Sequence, residues 1–211
     1  EFIVEKLSEK PFYITMDNEL NELIINKVLE MKKNKSFTNI GIKTSTNYLL
    51  HKLRNERKIK LSILAKIVKK FPNSFKIEEV YDSIELIRHN EGHLIKLPKN
   101  NDEFADFYFL AGLFVGDGTH HSFVVGKKEL AKRFTTICDR FNISTRINDK
   151  YKDGKNFQID TTFTLLEILN SLFDYPKKQK SHNVHLSKML LSSPSEYIAY
   201  FLRAYFDCDG T

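Results

Sequence analysis

The sequence reads Phe109-Leu110-Ala111-Gly112-Leu113-Phe114-Val115-Gly116-Asp117-Gly118 near its middle, and it returns to that pattern as Phe201-Leu202-Arg203-Ala204-Tyr205-Phe206-Asp207-Cys208-Asp209-Gly210. Each copy places apolar residues at helical spacing, with small residues among them and Asp-Gly at the end. Aligned copy on copy, Asp117 falls on Asp209. One copy alone is typical of a helix that ends in an ordinary Asp-Gly turn, whereas two copies in the same register indicate a repeated structural unit.

The acidic ends of the two predicted helices indicate a metal site. A carboxylate at the C-terminal end of a helix is electrostatically unfavourable, because the exposed carbonyl groups there already carry partial negative charge. A divalent cation reverses this penalty. Asp117 and Asp209 are therefore candidate metal ligands, and Gly118 can close the first helix as a left-handed cap.

The composition is typical of a globular protein, and its excess of positive charge favours an anionic partner. The chain has 211 residues, 41% hydrophobic and 28% charged, and a formal net charge of +6. Nucleic acid is the first candidate partner and an anionic membrane surface the second. No apolar run approaches the roughly 20 residues that span a bilayer, and the N-terminus does not resemble a signal peptide. Cys138 and Cys208 lack zinc-site or disulfide spacing. We expect a cytoplasmic, nucleoid-associated protein with no membrane partner.

Residues 1–93 are predicted to form a small helical domain that binds DNA. A short strand or extended lead-in is expected first, followed by four amphipathic helices over residues 17–33, 44–56, 61–71 and 76–87. Asp17 is the predicted N-cap of the first helix. The second and third helices have the size of a helix-turn-helix, with the turn around residues 57–60.

The helical domain is also strongly basic. Residues 31–70 contain twelve lysines and arginines and one acid, Glu56. Such a surface neutralises phosphates in a salt-sensitive, sequence-independent way. The alternative is a solvated helical face with no ligand. The DNA-binding residues predicted here are Lys43, Lys52, Arg54, Arg57, Lys58 and Lys60.

Residues 94–211 are predicted to mix helices and strands, so the fold class is α+β. Helices are expected at 102–116, 127–141 and 164–173, with a further helix that begins at Ser193 or Ser195 and contains the second copy. A strand is expected at 121–126, and a hairpin with strands at 145–151 and 156–162.

One face of the predicted hairpin is polar. Arginine, lysine, asparagine and glutamine are the side chains that read base edges, and a two-stranded ribbon fits the major groove of DNA. The alternative is the polar outer face of a half-buried sheet. The residues predicted to contact DNA on this face are Arg146, Asn148, Lys150, Lys152 and Gln158.

The two stretches at 110–118 and 202–210 resemble the dodecapeptide motifs of the LAGLIDADG homing endonucleases, particularly the endonuclease region of archaeal inteins. The tract Ile95-Lys96-Leu97-Pro98 is also similar to that group. The resemblance covers about residues 94–211. It implies the first half of an αββαββ-type domain, with the second motif helix at its C-terminal end and packed beside the first.

The resemblance also implies an activity, namely site-specific cleavage of both strands of a long, asymmetric DNA target by metal-dependent phosphodiester hydrolysis. Asp117 and Asp209 would be catalytic and would bind Mg²⁺ or Mn²⁺, with the backbone carbonyls of Gly116 and Cys208 as further ligands. Lys180 is the candidate for a basic catalytic residue, with Lys188 in reserve. The full-length parent is expected to be a monomer.

This sequence departs from the family in ways that leave other functions open. The segment after Gly118 is short for a DNA-reading hairpin, and the second half is expected to be truncated after Thr211. Residues typical of intein splicing ends are absent from both termini, so this piece is not expected to splice or to cut DNA efficiently. One alternative is a non-cleaving DNA- or RNA-binding protein of the same fold, such as a regulator or maturase. A weaker one is a plain α/β protein in which the Asp-Gly repeat is a coincidence.

Overall fold

The computed structural model of the protein describes residues 2–34, 37, 40–119, 122–148, 157–175 and 185–209, without the side chain of Asp209. The chain divides into two compact units, unit 1 over Glu1–Glu91 and unit 2 over Gly92–Thr211. Each unit contains helices and one antiparallel sheet, so the fold class is α+β. Among the described residues, no helix has the length and apolar character required to cross a membrane.

Unit 1 is built on a three-stranded sheet whose central strand is β1 (Phe12–Met16). Strand β2 (Lys58–Lys60) pairs with one edge of β1, and β3 (Ile84–His89) pairs with the other. Phe12, Ile14 and Met16 are fully buried on one side of β1, because successive side chains of a strand point to opposite faces. The other face of the sheet carries Tyr13 and Thr15.

The helices of unit 1 supply the rest of its core. Asp17 caps the helix that begins at Asn18, the first of the four predicted helices, since its Oδ1 accepts a hydrogen bond of 2.8 Å from the backbone N–H of Leu20. Each helix buries residues at helical spacing, such as Leu49, Leu50 and Leu53 in the third. The helices are α1 (Phe2–Ser8), α2 (Asn18–Lys33), α3 (Thr46–Glu56), α4 (Leu61–Lys70) and α5 (Ile77–Asp82).

The sheet corrects the prediction of a helical domain with a helix-turn-helix. Residues 58–60 form strand β2, paired with β1, and so α3 and α4 are joined by a strand instead of a turn. The helix predicted over 76–87 ends at Asp82, and β3 begins at Ile84. The spacing of Ile84 and Ile87 is compatible with a helix or a strand. In the structure this segment forms a strand, because it pairs with β1. The lead-in predicted as extended begins instead with α1.

Unit 2 contains the two predicted motif helices, α6 (Asn101–Asp117) and the last helix, α10 (Ser195–Asp209). The intervening elements are β4 (Ser122–Val125), α7 (Lys128–Arg140), β5 (Arg146–Asn148), β6 (Phe157–Asp160), α8 (Phe163–Phe173) and α9 (Lys188–Leu191). The strands form a sheet with the order β4–β6–β5 that is antiparallel throughout. The described residues place one strand between α6 and α7, where an αββαββ layout has two, and that layout stays a prediction.

Helices α6 and α10 pack against each other through small residues. A Cβ atom added to Gly112 would lie 2.2 Å from the carbonyl oxygen of Phe201 and 2.9 Å from the Cβ atom of Ala204. One turn further along, a Cβ atom on Gly116 would lie 2.6 Å from the Cβ atom of Cys208. All three distances are too short for a Cβ atom at either position, so the two glycines allow the helix backbones to approach closely.

An aromatic cluster holds the sheet of unit 2 against α6 and α7. The rings of Phe123 on β4 and Phe134 on α7 are stacked with their centroids 4.8 Å apart. Phe114 on α6 lies 6.1 Å from the first ring and 6.0 Å from the second. All three side chains are fully buried, and such ring pairs add to the stabilisation that comes from burial alone.

The close approach of α6 and α10 predicts the effect of filling Gly112. Alanine favours a helix over glycine by about 1 kcal/mol, so Gly112→Ala would stabilise the protein if the site had room. Because the new methyl group collides with the Phe201 carbonyl, we expect a loss of about 1–3 kcal/mol in the free energy of unfolding, measured by urea denaturation. Gly126→Ala at an exposed position after β4 is the control. Equal stability of both variants would contradict the described packing.

Candidate nucleic-acid interface

The open face of the sheet in unit 1 brings basic and aromatic side chains together. In the strand register, Lys60 lies opposite Tyr13 and Lys58 lies opposite Thr15. Arg88 of β3 lies opposite Tyr13 on its other side. Directly opposed residues of antiparallel strands project from the same face, so a lysine and an arginine flank Tyr13 on that face.

The lysines of β2 lie over the ring of Tyr13. The Nζ atoms of Lys58 and Lys60 are 5.1 Å and 5.7 Å from its ring centroid. These are cation–π distances, and the attraction keeps both ammonium groups on the open face of the sheet. Helix α3 adds a similar pair, in which the Nζ atom of Lys52 lies 5.9 Å from the ring centroid of Tyr48.

These side chains surround a cavity of about 190 Å³, which we call the lysine–tyrosine cleft. Apolar side chains, including Leu49 and Ile59, contribute to its wall, and Glu91 contributes its acidic group. Glu91 is paired with Arg88 across 3.1 Å. The polar and aromatic residues that line the cleft are Tyr13, Thr44, Tyr48, Lys52, Lys58 and Lys60. The cleft therefore offers three ammonium groups and two aromatic rings to a ligand.

Lys52 is the lysine of the cleft with an acidic partner on its own helix. Its ammonium group donates a hydrogen bond to the carboxylate of Glu56 one turn along α3. This hydrogen bond raises the pKa of Lys52 above its ordinary value and lowers the pKa of Glu56. One of the three ammonium groups of the cleft therefore has a carboxylate beside it.

Some of the predicted DNA-binding residues of unit 1 meet at the cleft, and others lie outside its lining. Lys52, Lys58 and Lys60 line it, while Lys43 and Arg54 are exposed and do not. Arg57 has a left-handed backbone with φ of 47° at the C-terminal end of α3. Its Nη1 atom lies 3.2 Å from Glu85 and 3.4 Å from Asn18.

Tyr13 and Tyr48 were missed as site residues by the sequence analysis. The available signal was the alternation of Phe12, Ile14 and Met16 in the first strand, which predicts that Tyr13 and Thr15 occupy the opposite face. Nothing local in the sequence relates Tyr13 to Tyr48, because they belong to different elements and meet only through the tertiary fold.

The second candidate site lies at the ends of α6 and α10. Asp117 and Asp209 are the last residues of these two packed helices. Gly116 lies against Cys208, whose thiol donates a weak hydrogen bond to the Leu113 carbonyl at 3.8 Å. The predicted catalytic Lys180 and the side chain of Asp209 lie outside the described residues, whereas Lys188 begins α9.

Unit 2 offers little further support for a site at these helix ends. Within the described ranges, no group of three or more His, Cys, Asp or Glu side chains is positioned to hold a metal ion. Asp117 itself is half-buried. The structure therefore brings together the two helix ends, one described carboxylate and backbone carbonyl groups.

The predicted reading face of the hairpin is only partly described. Arg146 lies opposite Asp160, and Asn148 lies opposite Gln158, so these four residues share one face of the sheet. The Gln158 amide donates hydrogen bonds to Ser122 Oγ at 3.2 Å and to Asp160 Oδ1 at 3.3 Å. Its hydrogen bonds therefore go to neighbouring side chains of the same sheet. Lys150 and Lys152 lie outside the described residues.

Comparison with known proteins finds similar segments in proteins named as translation factors, whereas no protein-family model matches the chain. Elongation factor 2 of Methanopyrus kandleri is 27% identical over 96% of this chain. The probable translation initiation factor IF-2 of Methanocaldococcus jannaschii is 33% identical over 81% of it. The protein of the same name from Thermococcus kodakarensis is 27% identical over 78%.

The similarity involves a small part of each relative. The matched segment is 16% of the length of each of the three translation factors. A more distant similarity, 24% identity over 99% of this chain, covers 11% of the replication factor C small subunit of Methanocaldococcus jannaschii. Related segments therefore occur within much longer proteins whose names denote different processes.

These relatives contradict the prediction that the chain is a LAGLIDADG homing endonuclease. They are named as translation factors, at 27–33% identity over most of the chain, and not as nucleases. The predictions that depend on the resemblance are corrected with it. They are the intein association, the Mg²⁺-dependent cleavage of DNA, the long double-stranded DNA target, and the alternative of a non-cleaving protein of the same fold.

The left-handed backbone of Arg57 predicts how substitutions at this position change the stability of the protein. Glycine adopts a positive φ without steric cost, so Arg57→Gly relieves strain while it removes an exposed ion pair that contributes about 0–1 kcal/mol. We expect the free energy of unfolding to change by less than about 1 kcal/mol in urea denaturation. Arg57→Ala, which keeps the strain, is the matched variant and should be the less stable of the two. The opposite order would contradict this backbone geometry.

Proposed function

We propose that this chain is an RNA-binding segment of a longer protein related to translation factors. The observation that carries the proposal is the convergence of Lys52, Lys58 and Lys60 beside two tyrosines in the lysine–tyrosine cleft. The three relatives named for translation support RNA as the ligand, since translation operates on RNA. The cytoplasm, where translation takes place, is the proposed location.

The electrostatics of unit 1 favour contact with phosphate groups. Its basic stretch has twelve basic residues against one acid between residues 31 and 70, and none of its described lysines and arginines is buried. Each ammonium group that neutralises a phosphate releases a counterion, so the affinity falls as the salt concentration rises. This contribution does not depend on base sequence, and we propose it as the main source of affinity.

We propose further that the chain is a module carried by its relatives, and that it does not perform the activities in their names. Similar segments occur in proteins named for elongation, initiation and replication, in each case as a small part of the length. The two compact units each have their own buried core, as such a module requires. The activities of the whole relatives are therefore assigned to the remainder of those proteins.

Similarity to translation factors favours nucleotide binding as a second candidate function for the longer protein. The phosphate-binding loop of many GTP- and ATP-binding proteins has the sequence Gly-x-x-x-x-Gly-Lys-Ser/Thr. The 211 residues of this chain do not contain that pattern. We therefore assign no GTP site to these residues.

Mg²⁺, or Mn²⁺, is the cofactor that we propose for the adjoining ends of α6 and α10. Mg²⁺ is usually held by one or two carboxylates together with water, and backbone carbonyl oxygen is also a hard ligand. Asp117 and the carbonyl group of Gly116 fit this donor set, and Asp209 ends the neighbouring helix. When bound, the ion would supply positive charge where two helix dipoles present negative charge.

The RNA proposal predicts a charge-dependent affinity. Replacing Lys52, Lys58 and Lys60 together by alanine should weaken binding to a structured RNA hairpin and reduce the slope of log affinity against log salt by about two. The measurement is fluorescence anisotropy across a salt series. A matched variant with Lys127, Lys128 and Lys132 of unit 2 replaced by alanine loses the same charge at residues that do not line the cleft. It should keep most of the slope.

Two outcomes would contradict the RNA proposal. In the first, the two triple variants lose affinity and salt slope equally, which would mean that net charge alone attracts RNA. In the second, a DNA duplex of the same length binds the wild-type chain more tightly than the RNA hairpin, which would assign the basic surface to DNA.

The metal proposal predicts a Mg²⁺-dependent rise in the midpoint of thermal unfolding, because a ligand that binds only the folded state stabilises it. Asp117→Asn should abolish this rise, since an amide oxygen is a much weaker ligand for Mg²⁺ than a carboxylate. Asp139→Asn, at an exposed position in the last turn of α7, is the matched control and should keep it. An equal response to Mg²⁺ in the two variants would contradict a site at Asp117.

A further inference from the structure

We propose that the lysine–tyrosine cleft holds an unpaired nucleotide of RNA, with its base stacked on Tyr48 and the adjoining phosphates bound by the lysines. This inference deepens the proposed function and rests on it. It specifies the ligand as an unpaired nucleotide, and it identifies Tyr48 as the residue on which the base stacks.

Tyr48 presents much of its ring to solvent. Its side chain is 58% exposed, although it lies on α3 beside the buried Leu49 and Leu50. A single exposed aromatic residue is ordinary and indicates nothing alone. Tyr48 differs because its ring lines a cavity that three ammonium groups also line, and the Nζ atom of Lys52 lies 5.9 Å from the centroid of its ring.

The chemistry of the cleft matches the two parts of a nucleotide. Proteins that bind single strands combine basic groups, which follow the phosphates, with aromatic rings on which bases stack. Here the ring of Tyr48 and the ammonium groups of Lys52, Lys58 and Lys60 line one cavity of about 190 Å³. Apolar side chains such as Ile59 and Ile63 complete its wall, which suits the face of a base better than an inorganic anion.

The two tyrosines have different roles. Both β2 lysines lie over the Tyr13 ring, at 5.1 Å and 5.7 Å, so that ring is occupied by cations and positions them. Tyr48 has one lysine at the longer distance of 5.9 Å and a largely exposed side chain. Tyr48 is therefore the stacking residue and Tyr13 a positioning residue.

The stacking contact selects an unpaired base. Bases within a double helix are stacked on their neighbours and do not present a free face to a protein ring. Single-stranded loops, bulges and ends present such faces, and they are the usual targets of aromatic side chains in RNA-binding proteins. The ligand of the cleft is thus a loop or single strand, and base-paired RNA would reach only the lysines.

The test compares Tyr48 variants of the full chain in binding to a fluorescent single-stranded RNA. We expect Tyr48→Ala to weaken binding about tenfold, as for other base-stacking aromatic residues, and Tyr48→Phe to bind as the wild type does. Tyr200→Ala, which removes a partly exposed tyrosine from α10 of unit 2, is the matched control and should bind normally. Thermal unfolding of each variant shows whether it is folded.

A second arm removes the base instead of the ring. An RNA of the same length with abasic nucleotides keeps every phosphate but offers nothing to stack. The wild-type chain should bind it about tenfold more weakly than the intact strand, whereas Tyr48→Ala should bind the two equally. This coupling between ring and base distinguishes stacking from a general effect of the substitution on folding or charge.

The outcomes separate this inference from the proposed function. If the wild-type chain binds RNA in a salt-dependent manner but Tyr48→Ala binds equally well, or if abasic and intact strands bind the wild type equally, the stacking role is overturned and RNA binding stands. If the wild-type chain binds neither the single strand nor the structured hairpin, the proposed function itself fails.

Discussion

The antiparallel pairing of β1 with β2 is the interaction on which the candidate site of unit 1 depends. This pairing converts the connection between α3 and α4 into a sheet edge and sets Lys60 opposite Tyr13. The strict alternation of β1 buries Phe12, Ile14 and Met16, so the intervening Tyr13 must face outward. The fold of unit 1 thereby creates an open sheet face with cations held above an aromatic ring.

Unit 2 depends on a different constraint, the close approach of α6 and α10 at Gly112 and Gly116. The approach brings together two helices whose last residues are acidic, and it explains why the repeated sequence pattern has small residues at those positions. The proposed metal site depends on the same geometry, because the two acidic helix ends lie close together. The two glycines therefore allow both the close packing of the helices and the proximity of their acidic ends.

Sequence reasoning recovered the elements that are set by local pattern. The helices over residues 18–33 and 101–117 and the strands of the unit 2 hairpin have strong periodicity, caps or turn signals. It missed β2 and β3, because their spacing also fits a helix. These short segments form strands only through pairing with β1, which is distant in the sequence. It identified the lysines of the cleft by charge but not the tyrosines, which only tertiary structure brings together. The family resemblance rested on the short stretches at 95–98, 110–118 and 202–210, and relatives matched over most of the chain contradict it.

We propose that RNA is bound at the lysine–tyrosine cleft of unit 1, within a module carried by longer proteins. The most direct measurement is photo-crosslinking of the full chain to a single-stranded RNA that contains thiouridine, followed by mass spectrometry of the attached peptides. RNA bound at the cleft should crosslink to peptides that contain Tyr48, Lys58 or Lys60. Crosslinks confined to residues of unit 2, or none at salt concentrations where RNA is bound, would contradict it.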